Sequence, residues 1–78
     1  MSRKGQIKKA IDDCEKEIEA LERKRERSQV AVMRAWIEGT KPSPEDAQYF
    51  SVFSSLIDKE RENLRKLYAE LDDLKKKK

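Results

Sequence analysis

Residues 39–46 read Gly39-Thr40-Lys41-Pro42-Ser43-Pro44-Glu45-Asp46, and they interrupt a chain that otherwise holds one further glycine and no further proline. Gly39 accepts the left-handed conformation that ends a helix, and Pro42 prevents that helix from resuming. Ser43 then offers a capping hydroxyl, Pro44 suits the first helical position, and two acids follow at the positive end of the helix dipole. The pattern predicts a first helix over about residues 4–38, a turn over 39–43 at Pro42-Ser43, a second helix over about 44–75 and a basic tail over 75–78.

Apolar residues recur in alternating steps of three and four on both sides of this turn, which is the pattern of a coiled-coil seam. The seam of the first helix holds Ile7, Ile11, Cys14, Ile18, Leu21, Arg25, Ser28, Val32 and Ala35. The seam of the second holds Phe50, Phe53, Ile57, Glu60, Leu64, Leu67, Leu71 and Leu74. The expected fold is all-α: an antiparallel two-helix hairpin, a coiled coil that makes residues 1–78 a single domain. Because so small a pair buries little apolar surface, we expect self-association or a partner to complete it into a bundle.

Residues that face each other in an antiparallel hairpin have numbers with a nearly constant sum. A sum of 85 sets seam position against seam position throughout, for example Ser28 against Ile57. The same sum places Arg25 opposite Glu60. These are the two charged residues in the seams, and their charges are opposite in sign. An unmatched charge in a seam is strongly destabilising. We therefore predict that Arg25 and Glu60 form a register pair.

The composition and motifs exclude several classes of function. Charged residues make up 45% of the chain, a share typical of long exposed helices. There is no histidine and only one cysteine, Cys14, so we expect no metal site and no internal disulfide. Because Cys14 lies on the seam, it should pack as a small hydrophobic side chain. No phosphate loop, nucleophile elbow or metal-binding helix motif occurs, and we expect no enzyme activity, no catalytic residue, no cofactor and no small-molecule substrate. The longest apolar run is far below the roughly 20 residues that span a bilayer, which argues against membrane insertion and favours a cytoplasmic protein.

A second set of apolar residues lies outside the seams, close to the turn. Helical spacing makes both helices apolar nearly all round in this region, and a helix of that kind is normally covered on more than one side. Tryptophan, tyrosine and methionine are also favoured at the centres of protein interfaces. We therefore expect a non-enzymatic protein-protein interaction module that binds a protein partner or its own copies through this surface. The expected partner-binding residues are Val30, Met33, Trp36, Ile37, Tyr49, Val52 and Leu56.

A cluster of basic residues is expected at the opposite, open end of the hairpin. The net charge is only +3, from 19 basic and 16 acidic residues, so any affinity for anions must come from clustering. The clustered residues are Arg3, Lys4, Lys8, Lys9, Lys75, Lys76, Lys77 and Lys78. They suggest an alternative function, a nucleic-acid-binding helical hairpin dimer that uses this end. Protein binding ranks higher, because no aromatic residue interleaves with the lysines and because cations at a helix C-terminus complement its dipole without a ligand.

After the long first helix and the turn containing Gly39, the second helix opens with Glu45-Asp46-Ala47-Gln48-Tyr49-Phe50-Ser51-Val52-Phe53. This arrangement resembles the small helical-hairpin co-chaperones of bacterial type III secretion needle proteins. The resemblance implies a bacterial cytoplasmic protein that binds a larger chaperone and keeps a polymerising subunit soluble. It also implies that Tyr49, Val52 and Phe53 lie at or beside the partner interface. This chain is longer and more charged than the family pattern.

Overall fold

A computed structural model describes residues 2–76 and contains two helices, α1 (Arg3–Glu38) and α2 (Pro44–Lys76), packed side by side. No strand occurs within those residues. The expected all-α hairpin is therefore confirmed. The molecule is a rod of 58 × 19 × 15 Å, which is two helices wide and about one α1 helix long.

Both ends of α1 are capped by the residues that the sequence offers for this purpose. The Ser2 hydroxyl accepts a hydrogen bond from the Gly5 amide at 3.1 Å and so satisfies one of the free amides of the first turn. At the other end Gly39 adopts φ 73°, and the Thr40 amide donates to the Ala35 carbonyl at 2.8 Å. This left-handed cap reverses the chain at the end of α1.

The start of α2 is fixed by a reciprocal pair of side-chain contacts. The Ser43 hydroxyl accepts from the Asp46 amide at 3.2 Å and donates to the Asp46 carboxylate at 2.9 Å. The Ala47 amide closes the first turn on the Ser43 carbonyl at 3.0 Å. These contacts satisfy amides that a helix start leaves free, so α2 begins at Pro44.

The two seams form the core between the helices. One buried cluster contains Cys14, Ile18, Leu21 and Ile57, and a second, nearer the open end, contains Ile7, Ile11 and Leu71. Ile57 is fully buried. Every seam position chosen from the sequence is buried or half-buried, with Arg25 and Glu60 in the half-buried class.

The register of the two helices differs from the predicted one. When the residue numbers of each contacting pair are added, the sum ranges from 73 to 83 and centres on 78. The lowest sum belongs to Arg3 with Glu70 and the highest to Glu22 with Arg61. The predicted sum of 85 is therefore wrong by one heptad. The expected pair between Arg25 and Glu60 is wrong for the same reason, because the Arg25 guanidinium bonds to Ser54 and the Glu60 carboxylate lies beside Cys14.

The loop is compatible with the shift. After the Gly39 cap, residues 40–43 are not helical, and Thr40 is bonded back to α1 through both its amide and its hydroxyl. A residue in extended chain advances about 3.3 Å, whereas a helical residue advances about 1.5 Å. A short extended loop can therefore return far enough along α1 for α2 to begin below the end of α1. At a sum of 78, Pro44 lies level with Arg34, and the last turn of α1 extends past the first turn of α2.

Candidate protein-binding surface near the turn

The overhanging last turn of α1 carries the most exposed apolar side chains of the described chain. Ile37 is 84% exposed and Trp36 68%, whereas Val30 and Met33, which lie alongside α2, are about half exposed. Val30, Met33 and Ile37 line a shallow groove of about 400 Å³. Arg34 and Glu38 form its charged rim.

A second groove, of about 340 Å³, brings α2 into the same surface. It lies between Met33, Trp36 and Ile37 on α1 and Phe50 on α2. Sequence analysis placed Phe50 only in the seam and missed its second role. We call Val30, Met33, Trp36, Ile37 and Phe50 the Trp36 patch.

The apolar residues on α2 form a smaller surface. Tyr49, Val52 and Leu56 are each about half exposed, and we call them the Tyr49 patch. The Tyr49 ring stacks on the ring of Phe53, with centroids 6.3 Å apart and planes at 21°. Because Phe53 also packs against the core, this stacking holds Tyr49 in a fixed orientation.

Contacts between the helices show which side of the hairpin the Trp36 patch occupies. In a coiled coil, residues seven apart on one helix return to the same side. The Glu22 carboxylate pairs with the Arg61 guanidinium at 3.3 Å, and Trp36 lies two heptads beyond Glu22. The Trp36 patch therefore lies on the side marked by this ion pair.

The Tyr49 patch lies on the other side. There Arg3 pairs with Glu70, and Leu56 and Tyr49 lie two and three heptads from Glu70 along α2. Arg3 and Glu22 flank the seam of α1 from opposite directions, so the two ion pairs mark opposite sides. The seven residues expected to bind a partner are thus exposed near the turn, but they form two patches that face away from each other.

Arg25 occupies a seam position without an acidic partner among the described residues. One of its terminal nitrogens, Nη1, donates to the Ser54 hydroxyl at 3.2 Å, and its guanidinium carbon lies 5.7 Å from the centre of the Phe50 ring. Its Nε is buried and has no hydrogen-bond partner in residues 2–76. Contact with a ring face favours a cation, but it does not replace a carboxylate.

Glu60, the other charged seam residue, lies beside Cys14. The Cys14 thiol donates to the Glu60 backbone carbonyl at 3.3 Å and lies 3.5 Å from the Glu60 carboxylate. Burial raises the pKa of the Cys14 thiol above its ordinary value of 9.0, and the hydrogen bond to Glu60 adds to the effect. At neutral pH the thiol is therefore protonated and acts as a small buried side chain.

The basic end is more nearly neutralised than the sequence suggests. Arg3 pairs with Glu70, Lys9 approaches Asp13 at 3.7 Å, and Lys76 approaches Asp72 at 3.1 Å. Of the other expected anion-binding residues, Lys4, Lys8 and Lys75 form no ion pair in the part of the chain that the structure describes, and Lys77 and Lys78 lie outside it.

Tyr68 is an exposed aromatic residue that sequence analysis did not select. It is 48% exposed and lies far from the turn, with its hydroxyl 3.5 Å from the Glu15 carboxylate. Its apolar neighbours at helical spacing, Leu64 and Leu71, belong to the seam, so Tyr68 did not form part of a separate apolar set in the sequence. It provides a natural comparison for the residues of the two patches.

Metal-binding groups and membrane-spanning helices were both sought among the described residues. Between residues 2 and 76, no set of three or more acidic, cysteine or histidine side chains is grouped to hold a metal ion. Neither helix, over the residues described, has an apolar stretch long enough to cross a membrane. No protein-family model matches the chain, and no curated protein and no solved structure matches it.

Proposed function

We propose that this chain is a non-enzymatic protein-protein interaction module that binds through the apolar surface near its turn. The main support is the overhanging turn, where Trp36 and Ile37 are 68% and 84% exposed beside two shallow apolar grooves. Exposed apolar residues that gather in one region mark interaction sites more often than residues that are scattered singly. Trp36 is the natural anchor, because a tryptophan supplies a large apolar area with few rotatable bonds.

The exposed apolar area supplies part of the free energy that a complex needs. Fully burying one large apolar side chain contributes about 1.5–3 kcal/mol, so covering the exposed parts of both patches contributes on the order of 8 kcal/mol. Association entropy and side-chain ordering then reduce this value. Because the patches face opposite ways, one partner helix cannot cover both. The module would bind two partner surfaces, or one partner together with a second copy.

Within this proposal, the resemblance to type III secretion co-chaperones suggests a particular partner. The chain would act in the cytoplasm and dock on a larger chaperone that protects a polymerising subunit. The supporting residues are Tyr49 and Val52 in the Tyr49 patch and Phe53, on which Tyr49 stacks. A nucleic-acid-binding hairpin ranks lower, because acidic side chains neutralise part of the basic end.

The test compares two patch variants with a matched control. Met33→Ser with Trp36→Ser removes the centre of the Trp36 patch, Tyr49→Ser removes the aromatic residue of the other patch, and Tyr68→Ser removes an equally exposed ring far from the turn. Sedimentation equilibrium at several concentrations measures self-association, and capture from extracts of the native host compares partners retained by each variant. Association or retention should be lost in a patch variant and kept in Tyr68→Ser.

Two results would contradict the proposal. One is a chain that stays monomeric and retains the same proteins with and without the patch substitutions. The other is retardation of a generic nucleic acid that is strong at low salt and lost at high salt, together with no protein partner, which would favour the basic end.

A further inference from the structure

We propose that the hairpin has a second register, one heptad away from the one described, in which Arg25 pairs with Glu60 and α2 extends further along the α1 residues of the Trp36 patch. The existence of this register follows from the seams alone. Its role, which is to regulate how much of the Trp36 patch is exposed, rests on the proposed function.

The first observation is that both charged seam residues lack a charged partner in the described register. The Arg25 guanidinium makes one hydrogen bond to a hydroxyl, and its buried Nε makes none within residues 2–76. The Glu60 carboxylate is close to a thiol and to the Asn63 amide, at 3.5 Å each, and forms no ion pair there. Half-buried charges of opposite sign that do not meet each other favour any rearrangement that pairs them.

The second observation is that a slip of seven residues keeps both seams intact. Because each seam repeats every seven residues, α2 can move about 10 Å along α1 and again set seam against seam. Arg25 then faces Glu60. Ile57, which faces Leu21 in the described register, would face Ser28, and Phe50 would face Ala35. The main loss is at the open end, where Ile7 no longer packs on Leu71 as it does in the described register.

The third observation is that the loop permits both positions. In the described register Pro44 lies about one turn below the end of α1, and in the second register it would lie about two turns higher, about one turn past that end. A loop of five residues reaches at most about 17 Å when extended, which covers either position across a helix separation of about 10 Å. The two hydrogen bonds from Thr40 to the Ala35 carbonyl are the loop contacts on α1 that would need to adjust.

The slip changes the candidate binding surface. On the side of the Glu22–Arg61 pair, Trp36 is level with Ala47, in the first turn of α2, in the described register. In the second register it would be level with Ser54, so about two more turns of α2 would extend past it. A protein that binds the exposed Trp36 patch would therefore bind the described register better than the second one, and would shift the population toward it.

The experiment uses thiol cross-linking in the full chain, with Cys14→Ala as the background and Arg61→Cys as the common site. Glu22→Cys reports the described register, because the Glu22 and Arg61 side chains are in contact there. Gln29→Cys reports the second register. Glu15→Cys is the matched control, because Glu15 and Gln29 each lie seven residues, about 10 Å, from Glu22 in opposite directions.

A short thiol-specific cross-linker should join the cysteines at positions 22 and 61 fastest. It should join those at 29 and 61 about five times faster than those at 15 and 61, because one partly buried ion pair supplies about that factor. Glu60→Gln should reduce the Gln29 rate to the Glu15 rate and leave the Glu22 rate unchanged. Equal rates for the Gln29 and Glu15 pairs, or a Gln29 rate that does not respond to Glu60→Gln, would overturn the proposal.

These measurements use the free chain, so they do not depend on any partner. One outcome is that the cross-linking shows the second register while the Trp36 variants still associate and retain proteins as the unaltered chain does. That outcome would contradict the proposed function and support the second register. A chain that does not slip, but that loses its partner when Trp36 is replaced, would contradict the second register alone.

Discussion

Replacing Glu60 with leucine separates the register of the structure from the register predicted by charge complementarity. In the structure, Glu60 is a half-buried seam residue whose carboxylate approaches only a thiol and the Asn63 amide, both weak interactions at 3.5 Å. A leucine there would complete the apolar stripe. If Glu60 instead paired with Arg25, Glu60→Leu would leave a buried cation unmatched, and the sign of the effect would be reversed.

The expected gain can be worked out from burial. Fully burying a leucine side chain contributes about 1.5–3 kcal/mol, and a half-buried position recovers roughly half of this, about 1 kcal/mol. Removing a partly desolvated carboxylate adds to the gain, and the lost contacts to Cys14 and Asn63 subtract little from it. We expect Glu60→Leu to raise the free energy of unfolding by about 1 kcal/mol, which raises Tm by about 4–8 °C in a domain of this size.

Urea denaturation followed by helical circular dichroism measures this change, at several protein concentrations because self-association would add stability. The control is Glu62→Leu on the exposed side of α2, where Glu62 contacts only Arg65, at 2.6 Å on the same helix. That substitution should stay within about 0.5 kcal/mol of the unaltered chain. A loss of stability in Glu60→Leu, or a coupling above about 1 kcal/mol in a double-mutant cycle with Arg25→Leu, would refute the described register.

Three further predictions concern the core, the turn and the thiol. Ile57→Ala should lower the free energy of unfolding by about 2–4 kcal/mol in urea denaturation, because Ile57 is fully buried; a loss under about 1 kcal/mol would contradict its place in the core. Gly39→Ala should lower the free energy of unfolding by about 1 kcal/mol, because Gly39 has φ 73°, where a side chain is strained. The added methyl group would meet no atom within 4 Å, so the loss would come from the backbone alone, and an unchanged urea midpoint would contradict the left-handed cap. Cys14 should react with a thiol reagent much more slowly in the folded chain than in urea. Because its pKa is raised on folding, its contribution to stability is fully present below the ordinary pKa of 9.0 and is lost as the pH rises from there through the raised pKa of the folded thiol. Cys14→Ala should remove this part of the pH dependence.

Local features were predictable because neighbouring residues control them. Gly39 ends α1 and Ser43 caps α2, as their backbone preferences and side-chain chemistry require. The seam positions were predictable too, because the alternation of three and four selects one face of each helix whatever lies opposite. The seven apolar residues outside the seams are exposed, as a lone hairpin requires.

Two features depended on tertiary structure. A seam that repeats every seven residues is unchanged by a shift of seven, so periodicity limits the register to a few choices and cannot select among them. Charge complementarity favoured Arg25 with Glu60, whereas in the structure Arg25 bonds to Ser54 and the Glu60 carboxylate lies beside Cys14. The register in turn decided that Trp36 lies on an overhanging turn and that the two patches face opposite ways.

By itself, the sequence of this protein determined that there are two helices, where each one begins and ends, and which face of each is buried, because all of these depend on residues within a few turns of one another. Only the tertiary structure decided how far one helix is displaced along the other. That displacement depends on contacts between residues far apart in the chain, such as Arg25 with Ser54 and Cys14 with Glu60. The exposure of the Trp36 patch follows from that displacement.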